Sequence, residues 1–179
     1  MRTIACIVSL SALIGFAVGT AQADADEDDN PYIQRQLAAK KLSEPPVIDG
    51  DLSDSVWQEA ATGDRFTDQK TMEEVADQTK FWLGYDENAI YLAVYSYDSD
   101  PDAILMAETK RDAGLWRDDH IQFEIDAYHS HNWGDFSSFS VNARGTQNSE
   151  MGGGRSGKAE WKGDWQAASK VTKDGWVTE

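Results

Sequence analysis

The amino-acid sequence predicts an all-β fold, an antiparallel β-sandwich with one short helix. The first observation is residues 119–126, where apolar residues occupy every second position, as in a strand between a core and solvent. The second is a pair of alternating segments, residues 77–85 and 89–97, which the turn at 86–88 joins into a hairpin. The third is a succession of further short strand candidates separated by turns, which is typical of a sandwich of the jelly-roll or immunoglobulin-like type.

Residues 1–23 have the three parts of a secretory signal peptide. Arg2 precedes an apolar run at 4–18, and a small-x-small cleavage motif ends at Ala23. The run is too short and wrongly flanked for a typical spanning helix, and an uncleaved membrane anchor is the alternative. We therefore expect an exported protein that is periplasmic, outer-membrane-associated or extracellular. Because the only cysteine, Cys6, lies in this segment, the mature chain is expected to contain no disulfide.

The charge balance limits the class of partner. The chain has 16 Lys and Arg against 32 Asp and Glu, a formal net charge of −16. Such a surface repels nucleic acid, so no nucleic-acid partner is expected, and it suits neutral ligands, cations or simple solubility. Residues 24–36 begin with an acidic run and are predicted to be a linker. Residues 37–179 are then long enough for one domain with its own core.

The domain is predicted to begin with a strand and a helix. The first strand is expected at 38–42, because the Pro-Pro pair that follows favours extended backbone. Gly50 marks a sharp turn. Residues 52–60 are predicted to be a short amphipathic helix with Ser53 as its N-cap and Trp57 on its packed face.

The second half of the domain is predicted to contain three more strands after the one at 119–126. They are expected at residues 136–143, 165–171 and 175–179, and the glycine-rich segment 147–163 is predicted to be a loop. The last strand candidate starts on a turn and stops at Glu179. We therefore expect the domain to be incomplete at its C-terminus.

Short motifs along the domain resemble, in order and spacing, carbohydrate-binding module family 9. The matching pieces are PVIDGDL (46–52) with Trp57, YD (85–86) with IYLAV (90–94), DDHI (118–121) with ID (125–126), FSVN (139–142), and GW (175–176) with Glu179. The resemblance extends from residue 42 to residue 179. It implies a β-sandwich that binds sugar ends between two tryptophans, is not itself catalytic, and commonly accompanies glycoside hydrolases.

The resemblance also implies a ligand site around the strand at 119–126. One of the family's two tryptophans falls on Trp116, a sugar-binding acid falls on Gln122, whose amide can also bond hydroxyls, and an arginine falls on Ser140. Asn142 belongs to the same motif and is expected to bind ligand as well. The second tryptophan belongs to a region beyond Glu179. The local pattern alone favours a different interpretation, in which Trp116 closes one end of the core, because tryptophan is highly buried on average.

A calcium ion is the expected cofactor, if there is one. The predicted ligands are carboxylates with short spacing: Asp98, Asp100, Asp118 and Asp119. The alternative for Asp98 and Asp100 is a solvated turn, because the segment lacks the glycine and the closing glutamate of a calcium loop.

Other motifs predict no catalysis. The run GGGRSGK at 152–158 nearly matches a phosphate-binding loop, but Ala159 replaces the Ser or Thr that would hold magnesium, and we interpret the run as a flexible loop. His129 and His131 could supply two zinc ligands, yet no third histidine or cysteine is near them in sequence. No nucleophile motif is present, so no catalytic residue is predicted.

Two functions fit these features best, and a free-standing hydrolase is a third, weaker alternative. The first is an exported, non-catalytic module that binds a saccharide or polysaccharide and is covalently linked to a glycan-degrading enzyme. The second is the periplasmic N-terminal domain of an outer-membrane β-barrel protein without sugar specificity, because the segment 139–145 also resembles a family-9-like domain that precedes such barrels. The residues after Glu179 would separate them, since a barrel would continue as amphipathic strands of about ten residues.

Overall fold

The computed structural model describes residues 6–11, 36–151 and 161–179, and these residues form ten strands in two sheets. The strands are β1 (Cys6–Ser11), β2 (Lys40–Lys41), β3 (Ala61–Gly63), β4 (Thr79–Tyr85), β5 (Ile90–Tyr97), β6 (His120–Asp126), β7 (Ser137–Asn142), β8 (Gln147–Met151), β9 (Ser169–Thr172) and β10 (Gly175–Thr178). Three short 3-10 helices are η1 (Ser55–Gln58), η2 (Pro101–Ala103) and η3 (Trp133–Asp135). The predicted all-β sandwich is therefore confirmed.

The first sheet has four strands in the order β1-β6-β7-β8. The pairs β6–β7 and β7–β8 are antiparallel, whereas β1 is paired with β6 in parallel over the whole length of β1. Strand β1 falls within the predicted signal peptide, whose cleavage after Ala23 stays a prediction. That cleavage site, nearly all of the acidic segment 24–36 and the glycine-rich run 152–158 lie outside the described residues.

The second sheet has six strands, with the path β2-β4-β5-β10-β9 and β3 paired to β4. The predicted hairpin is present as the antiparallel pair β4–β5, whose register runs from Thr79 beside Ser96 to Tyr85 beside Ile90. Strand β2 is parallel to β4, a pairing that the sequence pattern does not predict. Strand β10 is the last strand in the chain, yet it lies inside the sheet between β5 and β9.

The main core lies between the two sheets. Its buried side chains come from both of them and from the connecting loop, namely Val94, Ile104, Ile121, Val141, Ala143 and Trp176. The alternation predicted for residues 119–126 is seen in β6, because Ile121 faces this core and the next inward side chain, Phe123, stacks on Phe139 at 5.0 Å between ring centroids. Trp165 contacts both phenylalanine rings edge-on.

A smaller core covers the opposite face of the second sheet. Its buried members are Leu42, Val56, Trp57, Ala60 and Ala93. The packed position predicted for Trp57 is thus confirmed, and only 3% of this residue is exposed.

The element that carries Trp57 is shorter than predicted, a single 3-10 turn over Ser55–Gln58 rather than a helix over 52–60. Its N-cap is Asp54 rather than Ser53, and Asp54 makes no capping bond because its carboxylate accepts from the backbone N–H of Val47. Acidic side chains that bond the turn before the helix compete with helix extension.

Glu179 joins the two ends of the described domain. One carboxylate oxygen accepts from the backbone N–H groups of Asp49, Gly50 and Asp51 at 3.1, 2.8 and 3.2 Å. The other accepts from the indole N–H of Trp57 at 2.7 Å. Gly50 has a φ of +81°, a conformation that favours glycine, which lets three successive N–H groups converge on one oxygen. Burial raises the pKa of Glu179, and the four donors oppose that rise.

Two elements differ from the prediction in the second half. Strand β8 (Gln147–Met151) occupies the start of a segment predicted to be a loop, where its polar residues pair with β7 and bury Ser149. Strand β9 begins at Ser169 and ends at Thr172, so it is shorter than the predicted strand at 165–171 and shifted toward the C-terminus.

Candidate functional site

The outward face of the first sheet carries a group of polar side chains. In β6 the side chains of His120, Gln122 and Glu124 point away from the core, because they alternate with the buried apolar residues. The register places Asn142 beside His120 and Ser140 beside Gln122, so these two residues share that face. The strand period thus brings together Gln122, Ser140 and Asn142, three of the four residues predicted to bind sugar.

Trp116, the fourth predicted ligand, lies at the N-terminal end of β6 and is 70% exposed. Its indole contacts the ring of His120 edge-on, with 6.1 Å between centroids. The backbone at this point is held from below, because Leu115 is buried in the interior and its carbonyl accepts from the N–H of Asp118 at 2.9 Å. The chain therefore presents a large apolar ring to solvent from a fixed support.

His120 is the residue that supports the indole. It is buried, and its Nδ1 lies 2.9 Å from the backbone carbonyl of Asp118. A carbonyl can only accept, so Nδ1 carries the hydrogen and donates it. This bond fixes the imidazole ring on which Trp116 rests.

Gln122, Glu124 and Ser140 form a connected polar cluster next to the tryptophan. The Gln122 amide donates to the Glu124 carboxylate at 3.0 Å, and the Ser140 hydroxyl donates to the Gln122 amide oxygen at 3.4 Å. Glu124 and Ser140 are buried, at 6% and 8% exposed, and Gln122 is the half-buried member of the cluster. Glu124 was not predicted to belong to the site, although its position two residues after Gln122 on the same strand face could have indicated it.

Asn142 is placed differently from the other predicted ligands. It is 0% exposed, and its amide nitrogen donates to the Glu108 carbonyl at 3.0 Å and to the Asp118 carboxylate at 2.7 Å. Its amide oxygen accepts from the backbone N–H groups of Arg144 and Thr146. All four hydrogen-bonding positions of the amide are therefore used within the protein, so Asn142 holds the turn after β7 and cannot reach a ligand.

Three of the four carboxylates predicted to bind calcium, those of Asp98, Asp118 and Asp119, accept from backbone N–H groups. The Asp118 oxygens accept from the N–H groups of Ala107 and Glu108, and an Asp119 oxygen accepts from that of Leu105. Asp98 accepts from the N–H of Asp100 in a local turn. Within the described part of the chain, no group of three or more His, Cys, Asp or Glu side chains could hold a metal ion.

The pKa values of the adjacent residues Asp118 and Asp119 are shifted in opposite directions. Burial pushes the pKa of Asp118 upward, but the bonds from Asn142 and from the backbone of Glu108 and Ala107 outweigh it and hold this pKa below its ordinary value. Burial raises the pKa of Asp119, and the charge of nearby Asp98 adds to the rise. Asp119 and Asp98 thus repel each other, and a cation between them would relieve that repulsion.

Across residues 6–11, 36–151 and 161–179, no helix has the length and apolar character needed to cross a membrane. No protein-family model matches the sequence, and no curated protein matches it either. Two solved chains match the structure. One is a carbohydrate-binding module family 9 from Caldicellulosiruptor kristjanssonii in complex with cellotriose, which is 18% identical with a TM-score of 0.55. The match covers 78% of this chain and 63% of that one, so the chain spans less than two thirds of its neighbour. The chain therefore has a fold like that of carbohydrate-binding module family 9.

Proposed function

We propose that this chain is a non-catalytic carbohydrate-binding module whose ligand surface is the outward face of β6 and β7. The observation that carries the proposal is the 70% exposed indole of Trp116, held at one end of a row of polar side chains. A flat apolar ring beside hydrogen-bonding groups matches the surface of a sugar.

The chemistry divides between stacking and hydrogen bonding. The indole offers its face to the C–H groups of a pyranose ring, which supplies the apolar part of the affinity. The half-buried Gln122 amide can donate to and accept from sugar hydroxyls, while the buried Glu124 and Ser140 hold that amide in place by hydrogen bonds. Because the ligand of the solved neighbour is cellotriose, a β-linked glucose oligomer is the first probe to try.

The same proposal includes export and a larger protein. The charged start, apolar run and small-x-small motif of residues 1–23 support secretion to the periplasm, the outer membrane or the medium. A covalently linked glycan-degrading module would use this domain to keep its catalytic site near the substrate, which raises the effective concentration of substrate.

Cellotriose titration of the full-length protein tests the proposal, with Trp116→Ala as the informative variant. Removal of the indole should abolish most of the affinity and cost under about 1.5 kcal/mol of unfolding free energy, because the ring buries little area. Tyr128→Ala is the matched control, since Tyr128 is 85% exposed beyond the other end of β6 and should leave binding unchanged.

Equal binding by wild type and Trp116→Ala would place the ligand elsewhere on the molecule. Failure of the wild-type protein to bind any of a panel of β- and α-linked glucans, xylans and mannans would count against the sugar-binding proposal. That result would favour the alternative of a periplasmic domain attached to an outer-membrane barrel.

A further inference from the structure

We propose that His129 and His131 form a binding site for a divalent transition-metal ion of the zinc class. Both histidines lie in the loop between β6 and β7, and both are exposed. The site is separate from the proposed sugar surface, because β6 is seven residues long and places Trp116 about 20 Å away.

The distance between the two imidazoles fits a chelated ion. Their Nε2 atoms are 3.2 Å apart, with ring centroids 4.3 Å apart and a 63° angle between the planes. Two nitrogens that each bind zinc at about 2.0–2.1 Å with a tetrahedral angle between them are about 3.3–3.4 Å apart. The observed separation is thus within a few tenths of an ångström of that in a chelate, and the rings need to turn so that both Nε2 lone pairs point at the ion.

The loop holds this arrangement in place before any ion binds. His129 and His131 have φ angles of 51° and 55°, a left-handed conformation that non-glycine residues rarely adopt and that often marks a functional site. The buried Asp126 carboxylate enforces it by accepting from the backbone N–H groups of Ser130 and His131 at 3.1 and 2.8 Å. The carbonyl of Asp126 accepts from the N–H of His129 at 3.2 Å.

The chemistry of the two groups selects the class of ion. A hydrogen bond between the two Nε2 atoms requires one neutral ring to carry its hydrogen on Nε2 and the other ring to accept it. Metal binding uses the lone pairs of both Nε2 atoms, so the ring that donates in the free protein must shift its hydrogen to Nδ1. Both rings remain neutral in this change. Neutral imidazole prefers zinc, copper and nickel over calcium and magnesium. Water fills the remaining coordination positions, and the chain's net charge of −16 favours any cation.

Calorimetric titration of the full chain with zinc, without a polyhistidine tag and in excess magnesium, tests the site. We expect one zinc ion per chain, and His129→Asn or His131→Asn should weaken zinc binding by about tenfold or more. Asparagine is chosen because it tolerates the left-handed conformation, so the loop can keep its shape. Tyr128→Phe is the control in the same loop and should bind zinc as the wild type does. Cys6 lies in the segment predicted to be removed on export, and where the full chain is used it is the same in every variant.

Histidine NMR signals give an independent measurement that needs no variant. The chain has three histidines, and zinc should shift the ring signals of His129 and His131 while those of the buried His120 stay unchanged. The proposal is overturned if both asparagine variants bind zinc as tightly as the wild type. It is also overturned if zinc leaves the His129 and His131 ring signals unmoved.

Discussion

Replacement of Glu179 by glutamine should destabilise the domain, because the buried indole N–H of Trp57 would face an amide N–H group instead of an acceptor. Glu179 is 5% exposed and receives four N–H groups, three from the turn at residues 49–51 and one from Trp57. Glutamine has one oxygen, so if that oxygen keeps the three backbone donors, the amide nitrogen faces the indole N–H. The loss of a bond to a charged acceptor costs about 1.5–3 kcal/mol, and a buried unpaired donor adds about 1–3 kcal/mol. We therefore expect a loss of about 3–4 kcal/mol, a large part of the ~5–15 kcal/mol that stabilises a typical domain.

A double-mutant cycle measured by urea unfolding separates this mechanism from a general loss of packing. Trp57→Phe removes the indole N–H, so Glu179→Gln in that background can direct its oxygen to the backbone and its nitrogen to the vacated position. Glu179→Gln should then lower the free energy of unfolding by about 2 kcal/mol less than it does in the wild type. Losses of packing cancel in the cycle. Additive effects, or a Glu179→Gln cost below about 1 kcal/mol in the wild-type background, would refute the described hydrogen bonding.

Three further predictions concern charge and processing. Stability should fall as the pH drops below about 3.9 and through the lowered pKa of Asp118, because protonation removes a buried acceptor, and Asp118→Asn should weaken this dependence in urea midpoints measured across pH. Millimolar calcium should raise the melting temperature more than magnesium does, through the repelling pair Asp98 and Asp119; equal shifts would indicate screening alone. N-terminal sequencing of the exported protein should begin at Asp24, whereas an intact Met1 would show a retained anchor.

The fold could be predicted where side-chain periodicity and turn residues agree. The hairpin β4–β5 and strand β6 have clear two-residue alternation, and both occur as expected. Strand β8 could not be found in this way, because its residues are mostly polar on both faces and its strand character comes from pairing with β7. The parallel pair β2–β4 joins segments far apart in sequence, which local patterns do not specify.

The positions of the residues in the candidate site could be predicted from the sequence better than their roles. The same alternation that indicated a strand also assigned Gln122 to the solvent face and, through the register with β7, brought Ser140 beside it. Asn142 satisfies the same pattern, yet the loop that carries Glu108 folds over it and uses its amide. Burial by a distant loop is a tertiary effect, so no periodicity in β7 could have distinguished Asn142 from Ser140.

The carboxylate of Glu179 also has a consequence for the order in which the chain can fold. Its four bonds join residues 122 to 130 positions apart, and β10, which leads into it, fills the centre of the second sheet. Until β10 and Glu179 have been synthesised, the Trp57 indole, the turn at residues 49–51 and the edge of β5 all lack their partners. Such long-range closure makes folding slow, because the second sheet cannot close before residue 179 has been synthesised.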